Sequence, residues 1–528
     1  MSIDFLRKGR FNPNANDVFF MNADDYAIMD PAAEGFINQL DRFINRHKSS
    51  QVNRLKALKR YYLADNDIRY KEPKSDKTAA DNRIASDFAR YITIFEQSYM
   101  LGKPVVYKNA SDKTLQEEID DFSKQNNESY HNVLIKTDLS IYGRAYELLY
   151  VDGDENNVQV RLARLNPEQV FVVYDDTVKR NSLFAVRYYR VRYEEGRFRD
   201  FVEVYTNDKV YYYRNDNHES GGMKLVEETN HEFDGVPVTE YASNEDRTGA
   251  YEAVLDTIDA YDLAQSELAN TQEDFNNALL MIKGNPFTGS DENPVIVDDN
   301  GTERPNPNFI GNVVASMKQA RLLIMDDNPD ENGAEPGAEY LTKTYDSAGT
   351  KAYIDRLVGD ILRFTFTPDT SDQNFSGVQS GEAMKYKLMA ADNRRVTQER
   401  LFERGLMRRL RLAVNVWRIK GNSSVNYDAI NDTEILFTPN IPQNVNELIA
   451  NVKSLYGIVS DETLLELLKQ FTGVDADKEL KRLEKQKADN QLMFNDQTNN
   501  YPNPDQEGVS EDGDEQRLLD KTHGRHIR

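Results

Sequence analysis

The chain has 528 residues, room for three or four domain-sized units, and its 39% hydrophobic and 10% aromatic content supports buried cores within a net charge of −24. The absence of cysteine excludes a disulfide framework, a thiolate metal centre and a cysteine nucleophile. The opening MSIDFLRKGR lacks the apolar stretch of a secretion signal, and no run approaches the ~20 apolar residues that span a bilayer, so the expectation is a soluble protein with no membrane partner.

In chain order, residues 1–34 are polar and without sustained period, which predicts a flexible arm. Phe36, Ile37, Leu40, Phe43 and Ile44 then recur at helical steps, as do Leu55, Leu58, Tyr62 and Leu63, and Ile84, Phe88, Tyr91, Ile92 and Phe95. Helices are predicted from Thr114 to Asn126 and from Tyr130 to Ile141. After Gly143 the period changes. Ala145–Val151, Val158–Leu165, Val170–Tyr174, Leu183–Tyr193, Phe198–Thr206 and Val210–Arg214 are short β-rich runs parted by Asp/Gly/Asn turns, the pattern of an antiparallel meander. Tyr211, Tyr212 and Tyr213 have the chemistry to stack on bases, but their place in a strand favours packing on a sheet face.

Ala250 to Ile282 is predicted as one long helix, with Val254, Tyr261, Leu268, Phe275 and Ile282 at seven-residue intervals. Its other faces carry Glu252, Asp256, Asp259, Asp262, Glu267, Glu273 and Asp274, with no Lys or Arg before Lys283. Such a face is not expected to rest on local ion pairs; it is either solvated or lines something that must not adhere. A Pro/Gly/Asp-rich stretch follows, with short strands predicted at Val295–Val297, Ala320–Met325 and Glu339–Thr344. Ser347 is the expected cap of a returning helix with Ile354, Leu357, Val358, Ile361 and Leu362 on one face. Thr367-Pro368-Asp369 stops it and leads into a Gly/Ser-punctuated loop.

From Glu382 to Lys420 the sequence reads as a very long helix with eleven Lys/Arg against four Asp/Glu, the most basic part of an acidic chain. Ser380 is its expected N-cap. One more strand at Glu434–Thr438 and helices at Val445–Tyr456, Asp461–Phe471 and Asp475–Gln486 follow, and from about Ala488 the composition is that of a disordered tail.

Catalytic chemistry is not legible. There is no GxxxxGK[ST], since Gly102-Lys103 runs into Pro104, and no GxGxxG follows a strand. The six histidines show no ligand spacing. The pairs Asp298-Asp299 and Asp326-Asp327 have the chemistry to hold a divalent ion, but in Asn/Pro-rich loops such pairs mostly form turns. No cofactor, metal or catalytic residue is expected. The net charge opposes tight phosphate binding, yet it suits a protein that nucleic acid must pass without sticking.

Three motifs in a fixed order carry a resemblance. They are Asn374-Phe375-Ser376-Gly377-Val378-Gln379-Ser380-Gly381 followed by Ala383-Met384-Lys385-Tyr386-Lys387-Leu388; Asn166-Pro167-Glu168-Gln169-Val170-Phe171 with Tyr174-Asp175-Asp176; and Tyr456-Gly457-Ile458-Val459-Ser460 with Glu462-Thr463-Leu464. With the order of elements from about residue 35 to 485, this resembles the portal (head–tail connector ring) proteins of tailed phages, SPP1 type. The resemblance implies an α+β portal fold with a wing (35–249), a two-helix stem (250–283 and 344–365), a small β-containing clip (284–343), a tunnel loop (366–381), a long kinked helix and wing return (382–442), a helical crown (443–487) and a tail (488–528). It further implies a dodecameric ring at a capsid vertex, through which double-stranded DNA is packaged and ejected. The implied partners are terminase, a head–tail adaptor and the major capsid and scaffolding proteins, with assembly in the host bacterial cytoplasm.

On that basis Asn374, Phe375, Ser376, Gly377, Val378, Gln379 and Ser380 are expected to meet DNA, and the acidic stem to repel phosphate. Arg394, Arg395, Arg400 and Arg404 are expected to touch neighbouring subunits or DNA, the former favoured because an exposed basic ring would trap DNA. The rival expectations are a non-portal structural scaffold and a Mg-dependent nuclease using the Asp pairs.

Overall fold

The computed structural model describes residues 16, 18–75, 79–153, 158–216, 222–276, 279–283, 291–299, 301–319, 322–325, 337–341, 346–369, 381–420, 425–440, 450, 452–472, 474 and 476–498. The chain divides into two units, 1–441 and 442–528.

The first unit is organised on two largely antiparallel sheets with helices against them. The larger has the order β1 (Phe19–Met21), β5 (Val170–Asp175), β6 (Ser182–Arg192), β7 (Phe198–Tyr205), β8 (Lys209–Asp216) and β9 (Lys224–Asn230). The smaller has β10 (Val238–Ala242), β3 (Arg144–Asp152) and β4 (Gln159–Leu165); a two-stranded ribbon pairs β2 (Val106–Lys108) with Glu434–Leu436. The meander was legible because each turn is short and each strand pairs with the next. Tyr213 is 1% exposed, and its hydroxyl donates to the Pro31 carbonyl, so this tyrosine packs on the sheet face.

The arm departs from expectation. From Val18 onward it is built into the fold: β1 pairs in parallel with β5, Phe19 opposite Val173, and α1 (Ala23–Ala27) is capped by Asn22. Phe19 is buried among Phe36 and Phe43 of α2 (Glu34–Arg46) and Phe171, so aromatic burial against the sheet overrides a polar local composition. Residues 1–15 lie outside the described residues.

Helices α3 (Val52–Tyr62), α4 (Phe88–Leu101), α5 (Lys113–Gln125) and α6 (Glu128–Tyr142) complete the body. Helix α7, the first of the two helices expected as the stem, spans Leu255–Asn276 after a single 3₁₀ turn at Glu252–Val254. It stops short of the expected Ile282, because Leu279–Lys283 forms β11, parallel to β14 (Leu322–Met325) and antiparallel to β15 (Gly337–Leu341). The stretch expected as the clip also holds a hairpin of β12 (Val295–Val297) and β13 (Glu303–Pro305), and an unforeseen helix, α8 (Ile310–Gln319). The return helix α9 runs Ser347–Phe364, and its cap is Asp346, whose carboxylate accepts from the Gly349 amide, rather than Ser347. The long helix α10 covers Gly381–Lys420. Its C-terminal half buries Phe402, Leu406, Leu410, Ala413 and Trp417 against Ile119, Phe122, Ile135 and Leu139.

In the second unit α11 spans Asp461–Thr472, with the Ser460 hydroxyl accepting from the Thr463 amide as a capping box requires. Helix α12 spans Ala476–Thr498, so helix continues past Ala488, where a tail was expected. Residues 499–528 lie outside the described residues.

Candidate channel elements: the stem and the long helix

The stem is seated at its root by close backbone approach. The Ala250 amide donates to the Ser140 carbonyl (2.7 Å) and Ser243 to the Gly143 carbonyl (2.9 Å), which brings the end of α6 onto the entry to α7. Val254, Leu255 and Ile258 are each 1% exposed, enclosed by Leu55, Leu58, Tyr61, Ile92 and Ile361. The return helix α9 contributes Ile361 to the same core, and its Ile354 and Leu357 are also buried.

Several acids of the 3₁₀ turn and α7 bind residues that lie far from them in sequence. Arg54 holds Glu252 with two charge-assisted bonds, its Nε at 2.6 Å from Oε1. The Tyr61 hydroxyl donates to Asp259. Asp262, fully buried, accepts from the Ser86 amide (2.8 Å) and from Asn66 Nδ2 (2.6 Å). Lys71 and Lys74 reach Glu267 at 3.2 and 3.7 Å, and Asn82 Nδ2 donates to Glu273 at 2.9 Å. Asp256 is exposed, and the Asp274 side chain lies outside the described residues. The acids serve the stem's attachment to residues 54–86. Burial pushes the Asp262 carboxyl up to about 6, although the bonds from Ser86 and Asn66 oppose it.

The four candidate arginines of α10 also separate. Arg394 lies 2.8 Å from Glu96, donates to the Thr365 carbonyl at 2.9 Å, and stands over the Phe366 ring. Arg395 pairs with Asp392 (2.8 Å) and Glu399 on its own helix and lies over Tyr99. Both are therefore engaged within the chain. Arg400 and Arg404 are exposed and have no carboxylate partner among the described residues. Glu96 is itself bound by the buried Lys136 at 2.7 Å and by Ser140. Burial alone would raise its carboxyl, but Lys136 and Arg394 outweigh that and hold it at about 2.

Residues 370–380, with the expected loop contacts Asn374 to Ser380 and the Ser380 cap, lie outside the described residues, as do Asp326 and Asp327. Asp298 closes the β12–β13 turn, accepting from the Thr302 amide at 2.9 Å, and pairs with Arg304. Among the described residues no group of three His, Asp or Glu is placed to hold a metal ion. Nor is any described helix long and apolar enough to cross a membrane. Sequence reasoning missed the stem's partners, Asn66, Asn82 and Ser86, because the ligating groups are largely backbone amides and small polar side chains, which leave no pattern.

The family model described as phage portal protein, SPP1 Gp6-like, matches residues 41–492. The portal protein of Bacillus phage SPP1 is 22% identical over 481 residues, covering 86% of this chain and 87% of that protein. The portal protein of Clostridium phage phiCD119 is 24% identical over 251 residues, 44% of this chain and 55% of that one. Among solved structures, a chain in the virion of a native gene transfer agent particle aligns over 78% of this chain and 92% of its own, at 11% identity and a TM-score of 0.33. One in the neck of an empty gene transfer agent particle covers 78% and 93%, at 12% identity and 0.34. Scores this low carry no argument. The family match, which covers residues 41–492, makes this chain a member of the SPP1 Gp6-like phage portal protein family, with its mixed helix-and-sheet fold.

Proposed function

We propose that twelve copies of this chain close into a ring at one capsid vertex and form the channel through which double-stranded DNA is packaged and ejected. The observation that carries the reading is the continuous family match over residues 41–492. It is supported by the helix–β-module–helix order of α7, the clip strands and α9. In this reading terminase and the head–tail adaptor dock on residues 284–343, the capsid and scaffolding proteins meet the body, and the ring is assembled in the host cytoplasm. The protein is structural and catalyses nothing.

Residues 374–380 are assigned to DNA contact; none of them is charged, which suits weak, reversible touching. Arg400 and Arg404 are assigned to a neighbouring subunit's acids, because twelve exposed pairs along a channel would hold phosphate and slow its passage. The stem's share in repelling DNA is smaller than its seven acids suggest, since five of them are bound to residues 54–86. Low friction then rests on the chain's overall −24 and on the uncharged loop. Electron microscopy of the purified protein tests the reading: rings with a central hole are expected, and monomers or open filaments would overturn it.

A further inference from the structure

The first stem helix is held by two kinds of contact along its length. Its root is apolar, as described above. From Asp262 onward the buried positions are polar: Asp262, Ser266 and Asn270, one per turn, at 0, 1 and 3% exposure. Each accepts a backbone hydrogen bond from the non-helical segment 79–87. Ser86 N donates to Asp262 at 2.8 Å, Ile84 N to Ser266 Oγ at 2.9 Å, and Asn82 N to Asn270 Oδ1 at 2.6 Å. The rungs keep step for a geometric reason. Four helical residues advance ~6.0 Å and two extended residues ~6.6 Å, so alternate amides meet successive turns.

Little apolar surface is at stake in this half. Of residues 79–87 only Ala80 is buried, and Ile84 is 43% exposed. On the side toward α9, a groove of about 420 Å³ opens between Ala264, Leu268 and Thr271 of α7 and Asp346, Thr350 and Tyr353. Parting the root would expose a hydrophobic core. Parting the upper half exchanges hydrogen bonds between polar groups for hydrogen bonds to water, which nearly balance.

We propose that residues 79–87 are a releasable clasp on the stem: the helix from Asp262 to Asn276 lifts off it as a unit while the root stays seated, so that the stem bends at Tyr261–Asp262. The consequence for DNA rests on the portal reading, in which the stem must accommodate a moving duplex; the clasp itself does not.

Hydrogen exchange on the assembled protein tests the opening. The amides of Asn82, Ile84 and Ser86 should exchange well ahead of those at Val254–Ile258. Ser266→Ala and Asn270→Ala should each raise exchange across 79–87 by about tenfold and leave the root unchanged. Equal protection of clasp and root in the wild type, or exchange that rises in both together, overturns the proposal. Because the chain has no cysteine, Asn82→Cys with Asn270→Cys provides one disulfide where the two side chains already meet, Asn82 Nδ2 lying 3.1 Å from Asn270 Oδ1. Oxidised particles should package less DNA than the same preparation after reduction. Equal packaging at complete cross-linking would overturn the clasp's role, while rings and packaging in the reduced form would leave the portal reading standing. If the cysteine pair does not assemble, the exchange result on the wild type decides.

Discussion

Arg409 and Glu147 lie 262 positions apart in the sequence and meet with neither side chain exposed, Nη2 donating to Oε2 at 2.6 Å and Nε to Oε1 at 2.9 Å. Two further donors are used as well: Nη1 reaches Glu128 at 2.6 Å and the second Nη2 hydrogen reaches Asn132 at 2.9 Å. His131 and the Tyr241 hydroxyl complete the shell of Glu147. This network fastens the long helix to α6 and β3. Arg409→Met would leave two buried carboxylates uncompensated, a loss of about 3–5 kcal/mol. Arg409→Lys keeps the charge but not the fork, and should recover only part of it. Chemical denaturation of the purified protein checks both; a loss below about 1 kcal/mol for the methionine variant would mean that the network does not hold the helix.

The same carboxylates set a pH dependence. Burial opposes their charge, but Arg409 and His131 hold Glu147 at about 2, as Lys136 and Arg394 hold Glu96. Their folded values lie below the ordinary 4.5, so the stability they contribute is fully present above that value and lost as the pH falls toward 2. Asp262 has the opposite sign. Its folded value, about 6, lies above 3.8, so its contribution is present in acid and lost as the pH rises through 6. Burial raises Asp138 to about 6 as well, against its pairing with Arg164. Stability should therefore decline between about pH 4 and 6 on account of these two and level off above that, while protonation of Glu96 and Glu147 makes it collapse below about pH 4. Asp262→Asn should reduce the slope on the neutral side without touching the acid limb; an unchanged slope would remove Asp262 from the account.

Much of this architecture was legible, and the failures have identifiable causes. The meander could be read because β5 to β8 pair with their sequence neighbours through turns rich in Asp, Gly and Asn. The end of the stem helix could not. Ile282 continues the seven-residue pattern by coincidence, whereas Leu279–Lys283 takes its partners from β14 and β15, some 40 to 60 residues on. The partners of the acidic face were not legible for a related reason. Its partners precede it by nearly 200 residues, and Asp262 and Ser266 bind main-chain amides, which every sequence possesses. Arg409 looked like one more cation of a basic helix, and only the tertiary fold places two carboxylates and an amide around it.

Gly143 marks where the body meets the stem. Its φ is +79°, and a Cβ there would sit 2.0 Å from the Arg247 carbonyl oxygen, a backbone atom that cannot swing away. Gly249 faces the same junction, with a Cβ meeting the Ile141 carbonyl at 2.5 Å. Gly143→Ala combines left-handed strain with a backbone clash and should cost more than about 3 kcal/mol, or abolish soluble expression. Gly196, also at positive φ but with open space around it, is the control: Gly196→Ala should cost no more than about 1–2 kcal/mol. Parallel thermal melts separate the two, and equal losses would show that the crowding at the junction relaxes.

Phe366 occupies a position where glycine is usual. It follows the last turn of α9 with φ +58°, the Phe366 amide bonding to the Arg363 carbonyl (3.2 Å) and the Thr367 amide to Leu362 (2.9 Å), which is the Schellman pattern. The left-handed conformation costs a non-glycine residue about 1–2 kcal/mol, and Arg394 over the ring returns part of that, about 0.5–1 kcal/mol. Phe366→Gly should thus leave stability within about 1 kcal/mol of the wild type, whereas the β-branched Phe366→Ile should lose stability, having a stiffer backbone at positive φ and no aromatic face. Arg394 itself binds Glu96 and the Thr365 carbonyl, so Arg394→Gln should destabilise the subunit by about 1–3 kcal/mol. Arg394→Glu should be worse, because it sets a second carboxylate against Glu96. Arg400→Glu with Arg404→Glu, on exposed positions, should spare subunit stability and weaken the ring. Melting curves beside size-exclusion profiles distinguish the two pairs; ring loss without destabilisation in the Arg394 variants would assign that arginine to the subunit interface instead.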